Sequence, residues 1–274
     1  MKKLNLSRAV IQACLIFWAA LQIFPLYWLL TFSLKDNTEI FQGNMVGLPS
    51  VWRFENYTHA FMGGNVGRYL ANSIIVTAAT ILIVCIASLM ASYALIRMKW
   101  KLQKTFQLIF IMGITIPIHA ALLPVFIMMR QVHLINTYWC LIIPYSAFAV
   151  PMAIMISSGF ISSIPVELEE AACIDGCNIY KIFIQIILPL MKPSLATIAI
   201  FTFLQSWNEL MFAVVFISKP AYRTLTVGIQ SLVGPRWGRA GGRHVPHYHY
   251  LCDIKQAGAA EPDCRFRKRV GERR

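Results

Sequence analysis

Long intervals of this chain contain almost no Asp, Glu, Lys or Arg. Four such intervals have none of these residues, and a fifth contains Glu209 alone. A helix of about 20 apolar residues is long enough to cross the hydrocarbon core of a bilayer. The sequence therefore predicts an all-α, polytopic transmembrane helical bundle with five spans, at about residues 9–34, 70–96, 105–129, 138–160 and 194–217.

The composition agrees with a protein that has a bilayer as its solvent. Of the 274 residues, 57% are hydrophobic and 14% are charged, which is unlike a soluble globular domain. A net charge of +13 would also suit a nucleic-acid-binding protein. However, many of the basic residues follow Gly234, and most others flank the spans, as membrane topology requires. We therefore expect no nucleic acid partner.

The first apolar interval resembles a signal peptide only in its basic N-terminal flank, residues 1–8. Its apolar run exceeds the roughly 7–15 residues of a signal peptide, and the bulky residues 24–28 do not suit a cleavage site. We expect a retained membrane anchor.

Basic residues in short flanks predict the orientation of the spans. They lie in residues 1–8 and again between the second and third spans, at Arg97, Lys99, Lys101 and Lys104. Lys and Arg are enriched in cytoplasmic loops. The N-terminus and the loop at residues 161–192 are therefore predicted to be cytoplasmic.

This cytoplasmic loop contains a short predicted helix with recognisable ends. Pro165 suits a helix start, acidic residues follow it, and Gly176 can adopt the left-handed conformation that ends a helix. One face of this helix combines carboxylates, a small residue and an apolar residue, which suits docking to a partner. These residues are Glu167, Glu170, Ala171 and Ile174. A second, amphipathic helix at 180–188 is predicted to lie along the membrane surface.

The loop also carries the pattern Glu170-Ala171-Ala172-x3-Gly176-x9-Ile186-x-Leu188-Pro189. This resembles the EAA-x3-G-x9-I-x-LP loop of ABC importer permeases at every defined position. Neighbouring phrases, such as Trp207-Asn208-Glu209, are similar to those of carbohydrate-uptake permeases of the maltose and multiple-sugar type. The resemblance covers residues 9–234 and implies the type I ABC importer permease fold.

The resemblance implies a transporter subunit of a bacterial inner membrane, and no enzyme. Its expected partners are a second homologous permease, a cytoplasmic ATPase dimer and an extracytoplasmic solute-binding protein that delivers a sugar, such as an oligosaccharide. ATP and Mg would be bound by the ATPase, because the chain has no G-x4-G-K-[ST] loop; we expect this chain to bind no cofactor or metal. The implied ATPase-docking residues are Glu167, Glu170, Ala171, Ala172, Ile174, Asp175, Gly176, Leu188 and Pro189.

Two alternative functions stay open. The solute could be a related compound such as glycerol 3-phosphate. The chain could also be a channel or secondary transporter without an ATPase.

Four polar or aromatic residues in the spans are candidates for a substrate pathway: His119, Tyr145, Asn208 and Glu209. Ionisable groups inside a membrane need a partner or an aqueous cavity. For Glu209 the alternatives are a pathway role, a position near the membrane surface, or pairing across a helix interface. His119 could instead be satisfied by a neighbouring helix, and Tyr145 could be an ordinary membrane aromatic. We expect Pro144 and Pro151 to interrupt the fourth span.

The tail at residues 235–274 differs from the rest of the chain because it is basic and has no long apolar run. Members of the resembled family usually have a sixth span, and we expect that this chain has lost it. Our hypothesis is a shift of reading frame near Gly238. The alternatives are a divergent extension and a metal site, whose candidate ligands would be His244, His247, His249 and Cys252.

Overall fold

A computed structural model describes residues 6–41, 43–63 and 65–233, and none of these residues forms a strand. The predicted all-α class is confirmed. The α-helices are α1 (Leu6–Ser33), α2 (Asn37–Phe41), α3 (Glu55–Thr58), α4 (Val66–Arg97), α5 (Gln103–Ile114), α6 (Leu122–Gln131), α7 (Trp139–Ser163), α8 (Glu167–Ile174), α9 (Ile179–Ile182), α10 (Leu188–Leu190), α11 (Lys192–Asn208), α12 (Met211–Phe216) and α13 (Leu225–Val233).

Three of these helices are long and apolar enough to cross a membrane by themselves: Val10–Ser33 within α1, and all of α4 and α7. A fourth candidate is the bent pair formed by Ile179–Leu190 and Lys192–Asn208, whose axes differ by 71°. α6 is a shorter apolar helix. The first, second and fourth predicted spans therefore each correspond to one long helix.

The third predicted span, 105–129, falls on two helices instead of one. α5 ends at Ile114 and α6 begins at Leu122, with a turn between them that contains Pro117. Proline has no N–H to donate to the helix ladder, so a break at Pro117 is expected. Pro124 does not add a second break, because it lies in the first turn of α6, where backbone N–H groups need no partner within the helix.

The fifth predicted span, 194–217, is also divided. α11 ends at Asn208 and α12 begins at Met211, and Glu209 between them has an extended backbone conformation. The polar residue that interrupts the apolar pattern is thus the residue at which the helix breaks.

The expectation that Pro144 and Pro151 interrupt the fourth span is wrong. α7 is one helix of 25 residues that contains both prolines. Buried helices tolerate proline when neighbouring groups satisfy the freed carbonyls, and α7 lies in the middle of the packed helices.

Small residues allow α4, α7 and α11 to approach one another. Ala149 and Ala153 of α7 pack with Val84 of α4 and Ile198 of α11 in one buried cluster. Ser88 and Ser157 are completely buried. Helices in membranes associate through such small side chains, because lipid is as apolar as the helices and provides no hydrophobic driving force.

The tail at 235–274, with its predicted frame shift and its alternative metal ligands, lies outside the described residues.

Candidate functional site

The short helix predicted in the loop between α7 and α11 is present as α8. Its first turn contains Glu167, Glu169 and Glu170, where the partial positive charge of a helix N-terminus favours acids. Gly176 follows the helix with a φ of +78°, a left-handed conformation that suits glycine. The backbone N–H of Cys177 donates to the carbonyl of Ala172 at 3.0 Å and so closes the helix end. The predicted helix and its glycine stop are confirmed.

The face of α8 that the sequence predicts for docking is open to solvent. Glu167, Glu170, Ala171 and Ile174 are all exposed, and Ile174 is 87% exposed. A large apolar side chain that is almost fully exposed, next to two carboxylates, suits contact with another protein. Asp175, Gly176 and Pro189 are also exposed.

Ala172 does not lie on this exposed face. It is 6% exposed and packs with Ile161, Ile182 and Ile187 in a buried cluster of the chain itself. Leu188 is partly buried against the same cluster. Ala172, one of the implied ATPase-docking residues, is therefore buried in the chain itself, and a direct contact with the ATPase is not available to it in this structure. Because consecutive residues of an α-helix are rotated by about 100°, the side chain of Ala172 leaves the exposed face that contains Ala171, and its small size lets α8 approach the core of the chain.

Glu169, which the sequence reasoning did not select, anchors α8 to α4. Its Oε1 atom lies 2.7 Å from Nε of Arg97, and its Oε2 atom accepts a hydrogen bond of 2.9 Å from the hydroxyl of Tyr93. The side chains of Glu169 and Arg97 are only 13% and 11% exposed. A signal was present in the sequence: Tyr93 and Arg97 lie four residues apart and so share one helix face.

Arg97 also connects to the end of α7. Its Nη2 atom donates to the carbonyl oxygens of Ile161 at 3.0 Å and Ile164 at 2.5 Å. The last carbonyls of a helix have no partner within that helix, so a guanidinium is well suited to satisfy them. One arginine therefore joins the C-terminal ends of α4 and α7 to α8.

A cavity of about 310 Å³ adjoins this ion pair. Its lining includes Arg97, Glu169, Glu170, Cys173 and Cys177. The cavity therefore lies between the buried ion pair and Glu170 on the exposed face of α8.

The second predicted helix of the loop is helical from Ile179 to Leu190. It begins with Asn178, whose Oδ1 atom accepts from the backbone N–H of Lys181 at 2.9 Å, and it contains one wide turn at Phe183–Ile187. Pro193 lies at the start of α11, beyond the 71° bend. Its position along a membrane surface stays a prediction.

Two of the four candidate pathway residues lie together. The Tyr145 hydroxyl donates to Oε2 of Glu209 at 2.7 Å, and both residues are buried. The Glu209 carboxylate also accepts from the backbone N–H of Phe212 at 3.0 Å and of Ala213 at 3.4 Å. It therefore satisfies N–H groups at the start of α12, as helix-capping side chains do.

The other two candidates lie apart from this pair. Asn208 is exposed, and its Nδ2 atom donates to the carbonyl of Leu204 at 2.9 Å. His119 is exposed in the turn between α5 and α6. The structure therefore does not bring the four residues together into a single site.

Asn72, near the start of α4, organises the opposite end of the bundle. Its Nδ2 atom donates to the carbonyl oxygens of Ala221 and Arg223, each at 2.9 Å. Its Oδ1 atom accepts from the Tyr138 hydroxyl at 2.8 Å. Next to it, Ser73 accepts from the backbone N–H of Leu225 at 2.8 Å. These polar side chains fix the segment that leads into α13.

Comparison with known families gives a match over residues 83–235, to the family described as binding-protein-dependent transport system inner membrane component. The matched region contains the whole of α7 and α8 and the EAA-type pattern.

Two relatives with stated solutes are similar over most of their length. A diacetylchitobiose uptake system permease protein of Streptomyces coelicolor is 34% identical, over 81% of this chain and 73% of the relative. A melibiose/raffinose/stachyose import permease protein of Bacillus subtilis is also 34% identical, over 79% of this chain and 78% of the relative.

Among solved structures, a chain of a bacterial ABC transporter involved in the import of the acidic polysaccharide alginate has the same fold. The TM-score is 0.75 and the sequence identity is 21%, over 93% of this chain and 88% of that chain.

Proposed function

Because this chain belongs to the family of binding-protein-dependent transport system inner membrane components, we propose that it is the membrane-spanning permease subunit of an ATP-driven sugar importer. It is a transporter subunit and no enzyme. We further propose that it pairs with a second, homologous permease, and that a separate ATPase dimer binds ATP and Mg and docks on α8. A solute-binding protein would deliver the sugar on the opposite side of the membrane.

The observation that carries this proposal is the division of α8 into two faces. Glu170 and Ile174 are exposed, as a docking surface requires, whereas Glu169 is tied to Arg97 by a buried ion pair. A partner that binds the exposed face therefore acts on a helix that is joined to α4 and α7.

This anchor suggests how nucleotide drives transport. When the ATPase dimer closes on ATP, it would move α8, and Arg97 would carry α4 and α7 in the same direction. The permease would then shift between inward-facing and outward-facing populations, since ATP binding favours one of them. In this mechanism the chain itself makes and breaks no covalent bond.

We propose an oligosaccharide as the transported solute. The support is that two relatives at 34% identity are named for diacetylchitobiose and for melibiose, raffinose and stachyose. We also place residues 1–8 and 161–192 on the cytoplasmic side, in agreement with the basic flanks of the spans.

Purification of the chain from its native host tests the proposal. We expect an ATPase and a second permease to co-purify with it, and the ATPase to be lost when Glu170 and Ile174 are both replaced by alanine. A matched control replaces Thr38 by alanine, which is exposed and lies far from α8 in the sequence. Recovery of the chain without any ATPase would favour a channel or secondary transporter instead.

Transport assays in proteoliposomes then identify the solute class. With the ATPase and the cognate binding protein present, we expect ATP-dependent uptake of a labelled oligosaccharide. Uptake of glycerol 3-phosphate in place of every oligosaccharide tested would contradict the sugar assignment but would leave the importer assignment intact.

A further inference from the structure

The described residues between α1 and α3, 34–41 and 43–54, contain a network of polar groups that links Lys35, Asn44, Glu39 and Ser50. Lys35 is 3% exposed, and its Nζ atom donates to the carbonyl of Asn44 at 2.6 Å. The Asn44 amide donates in turn to Oε1 of Glu39 at 2.7 Å, and the backbone N–H and hydroxyl of Ser50 donate to the same oxygen at 2.9 Å. The N–H of Ser50 is the main cause of a lowered pKa of Glu39. Glu39 therefore remains a carboxylate that is satisfied within the segment.

The outer side of the same segment is apolar. Six large hydrophobic side chains are between 50% and 65% exposed, and we call this set the apolar rim: Met45, Val46, Leu48, Val51, Trp52 and Phe54. Soluble proteins rarely expose so many apolar side chains within ten residues unless another body covers them. Because Lys35, Asn44 and Glu39 hydrogen-bond to one another, this network needs fewer partners from water, which suits apolar surroundings.

The apolar rim is continuous with the first membrane span. The indole Nε1 of Trp28 donates to the carbonyl of Met45 at 2.8 Å, and Trp28 lies five positions before Ser33, the last residue of α1. At 1.5 Å per residue, Trp28 lies about 7.5 Å back along the helix from its end, and Met45 is bonded to its side chain. The segment folds back beside the outer end of an apolar helix that is itself exposed along its length.

We propose that the apolar rim lies in the lipid bilayer, at the boundary between acyl chains and headgroups. Tryptophan is enriched at this depth because its ring is apolar and its N–H is polar, which suits Trp52 and Trp28. Arg53, between Trp52 and Phe54 of the rim, is exposed and forms an ion pair of 3.6 Å with Asp36. A long basic side chain at this depth can place its charge among the headgroups. The segment therefore anchors the end of α1 at the membrane interface, independently of which solute the importer carries.

Nitroxide spin labels test this proposal in the intact transporter, reconstituted in vesicles of phosphatidylethanolamine and phosphatidylglycerol. The seven native cysteines are first replaced by serine, and a label is attached at Val51→Cys or, as the matched control in the same segment, at exposed Thr38→Cys. We expect dissolved oxygen to relax the label at 51 more strongly than a water-soluble nickel chelate does. The order should be reversed at 38.

Two results would overturn the proposal. If the nickel chelate relaxes the label at 51 as strongly as the label at 38, the rim lies in water. If neither reagent reaches the label at 51, a protein covers the rim, as a docked binding protein or the second permease would.

A second measurement uses the chain with its native cysteines. Phospholipids brominated near the headgroup should quench the fluorescence of wild-type transporter more than that of a Trp52→Phe variant, because Trp52 would be in contact with the bromine. Equal fractional quenching of the two proteins would overturn the proposal even if the cysteine-free protein failed to fold.

Discussion

Nε of Arg97 lies 2.7 Å from Oε1 of Glu169, and this ion pair is nearly buried, while Glu170, the next residue, is exposed. Two consecutive acids of α8 therefore have different surroundings. Glu169 faces the chain's own α4, and Glu170 faces outward, where the proposed ATPase would bind. Substitutions at the two positions should be separable.

We expect Glu169→Gln to destabilise the protein and Glu170→Gln to leave its stability unchanged. Loss of one partner of a buried ion pair costs about 3–5 kcal/mol, and the 11–13% exposure of these side chains places the cost toward the lower end. The measurement is thermal unfolding of the purified permease in nanodiscs. Equal melting temperatures for the two variants would contradict the anchoring role of Glu169.

When ATPase binding is measured, we expect Glu170→Gln to be the more strongly affected of the two variants. Glu170→Gln should weaken recovery of the ATPase because an exposed carboxylate at the docking face is removed. If Glu170→Gln binds the ATPase like wild type and couples it fully, Glu170 is not part of the docking surface.

Gly176 provides a test in which no side-chain clash is involved. It has a φ of +78°, and a Cβ added there would meet no atom within 4 Å. A β-branched residue held in this conformation costs about 1–3 kcal/mol, so Gly176→Val should change the path of the loop after α8 and reduce ATP-driven transport. Gly176→Asn is the matched control, because asparagine tolerates the left-handed region. Membrane insertion of both variants should be normal; full transport by Gly176→Val would contradict the prediction.

The sequence was sufficient to predict α8 because its two ends and its exposed face are local features. Acids in the first turn, and a glycine after the last, act within a few residues. The Glu169–Arg97 ion pair could not be predicted in the same way, because it joins residues 72 positions apart and depends on how α8 packs on α4. Ala172 and Ala171 likewise look alike in the sequence, and only the packing distinguishes the buried one from the exposed one.

The positions at which the helices break were likewise only partly predictable from the sequence. An apolar interval predicts that a segment lies in the membrane. It does not predict the residue at which the helix ends. Pro117 lies at a break and Pro144 does not, although both lack an N–H. The difference lies in the surroundings, since Pro144 is buried, whereas Pro117 is exposed.

Glu209 is predicted to act through helix capping. Glu209→Ala removes the acceptor of the N–H groups of Phe212 and Ala213 and of the Tyr145 hydroxyl, and each buried donor left without a partner costs about 1–3 kcal/mol. We expect a large loss of folded protein in the membrane, measured by size-exclusion chromatography. Glu209→Gln keeps an acceptor oxygen and should be milder, as should Tyr145→Phe.

Transport kinetics of Glu209→Gln distinguish this capping role from a direct contact with the sugar. With capping alone, the folded fraction of this variant should have the wild-type KM. A severalfold higher KM at a normal amount of folded protein would place Glu209 in the substrate pathway instead.

The reading-frame hypothesis for the tail is testable on the nucleotide sequence. The family match stops at residue 235, close to the predicted shift at Gly238. We expect one of the other two frames after this codon to encode about 20 mostly apolar residues, enough for a membrane span. If neither frame does so, the hypothesis is wrong, and the alternatives are a divergent extension and a metal site.

The close approach of α13 to α4 depends on Gly228. A Cβ at this position would collide with Cδ2 of Tyr69 and lie 2.7 Å from its Cγ, so the ring itself would have to move. Tyr69 is only 5% exposed. Overpacking of this kind typically costs about 1–3 kcal/mol, and we expect Gly228→Ala to lower the melting temperature. Tyr69→Ala removes the ring, so adding Gly228→Ala to that variant should cost much less than it does in wild type. A double-mutant cycle measures the difference, and strictly additive effects would contradict the contact, because residues that do not touch rarely couple.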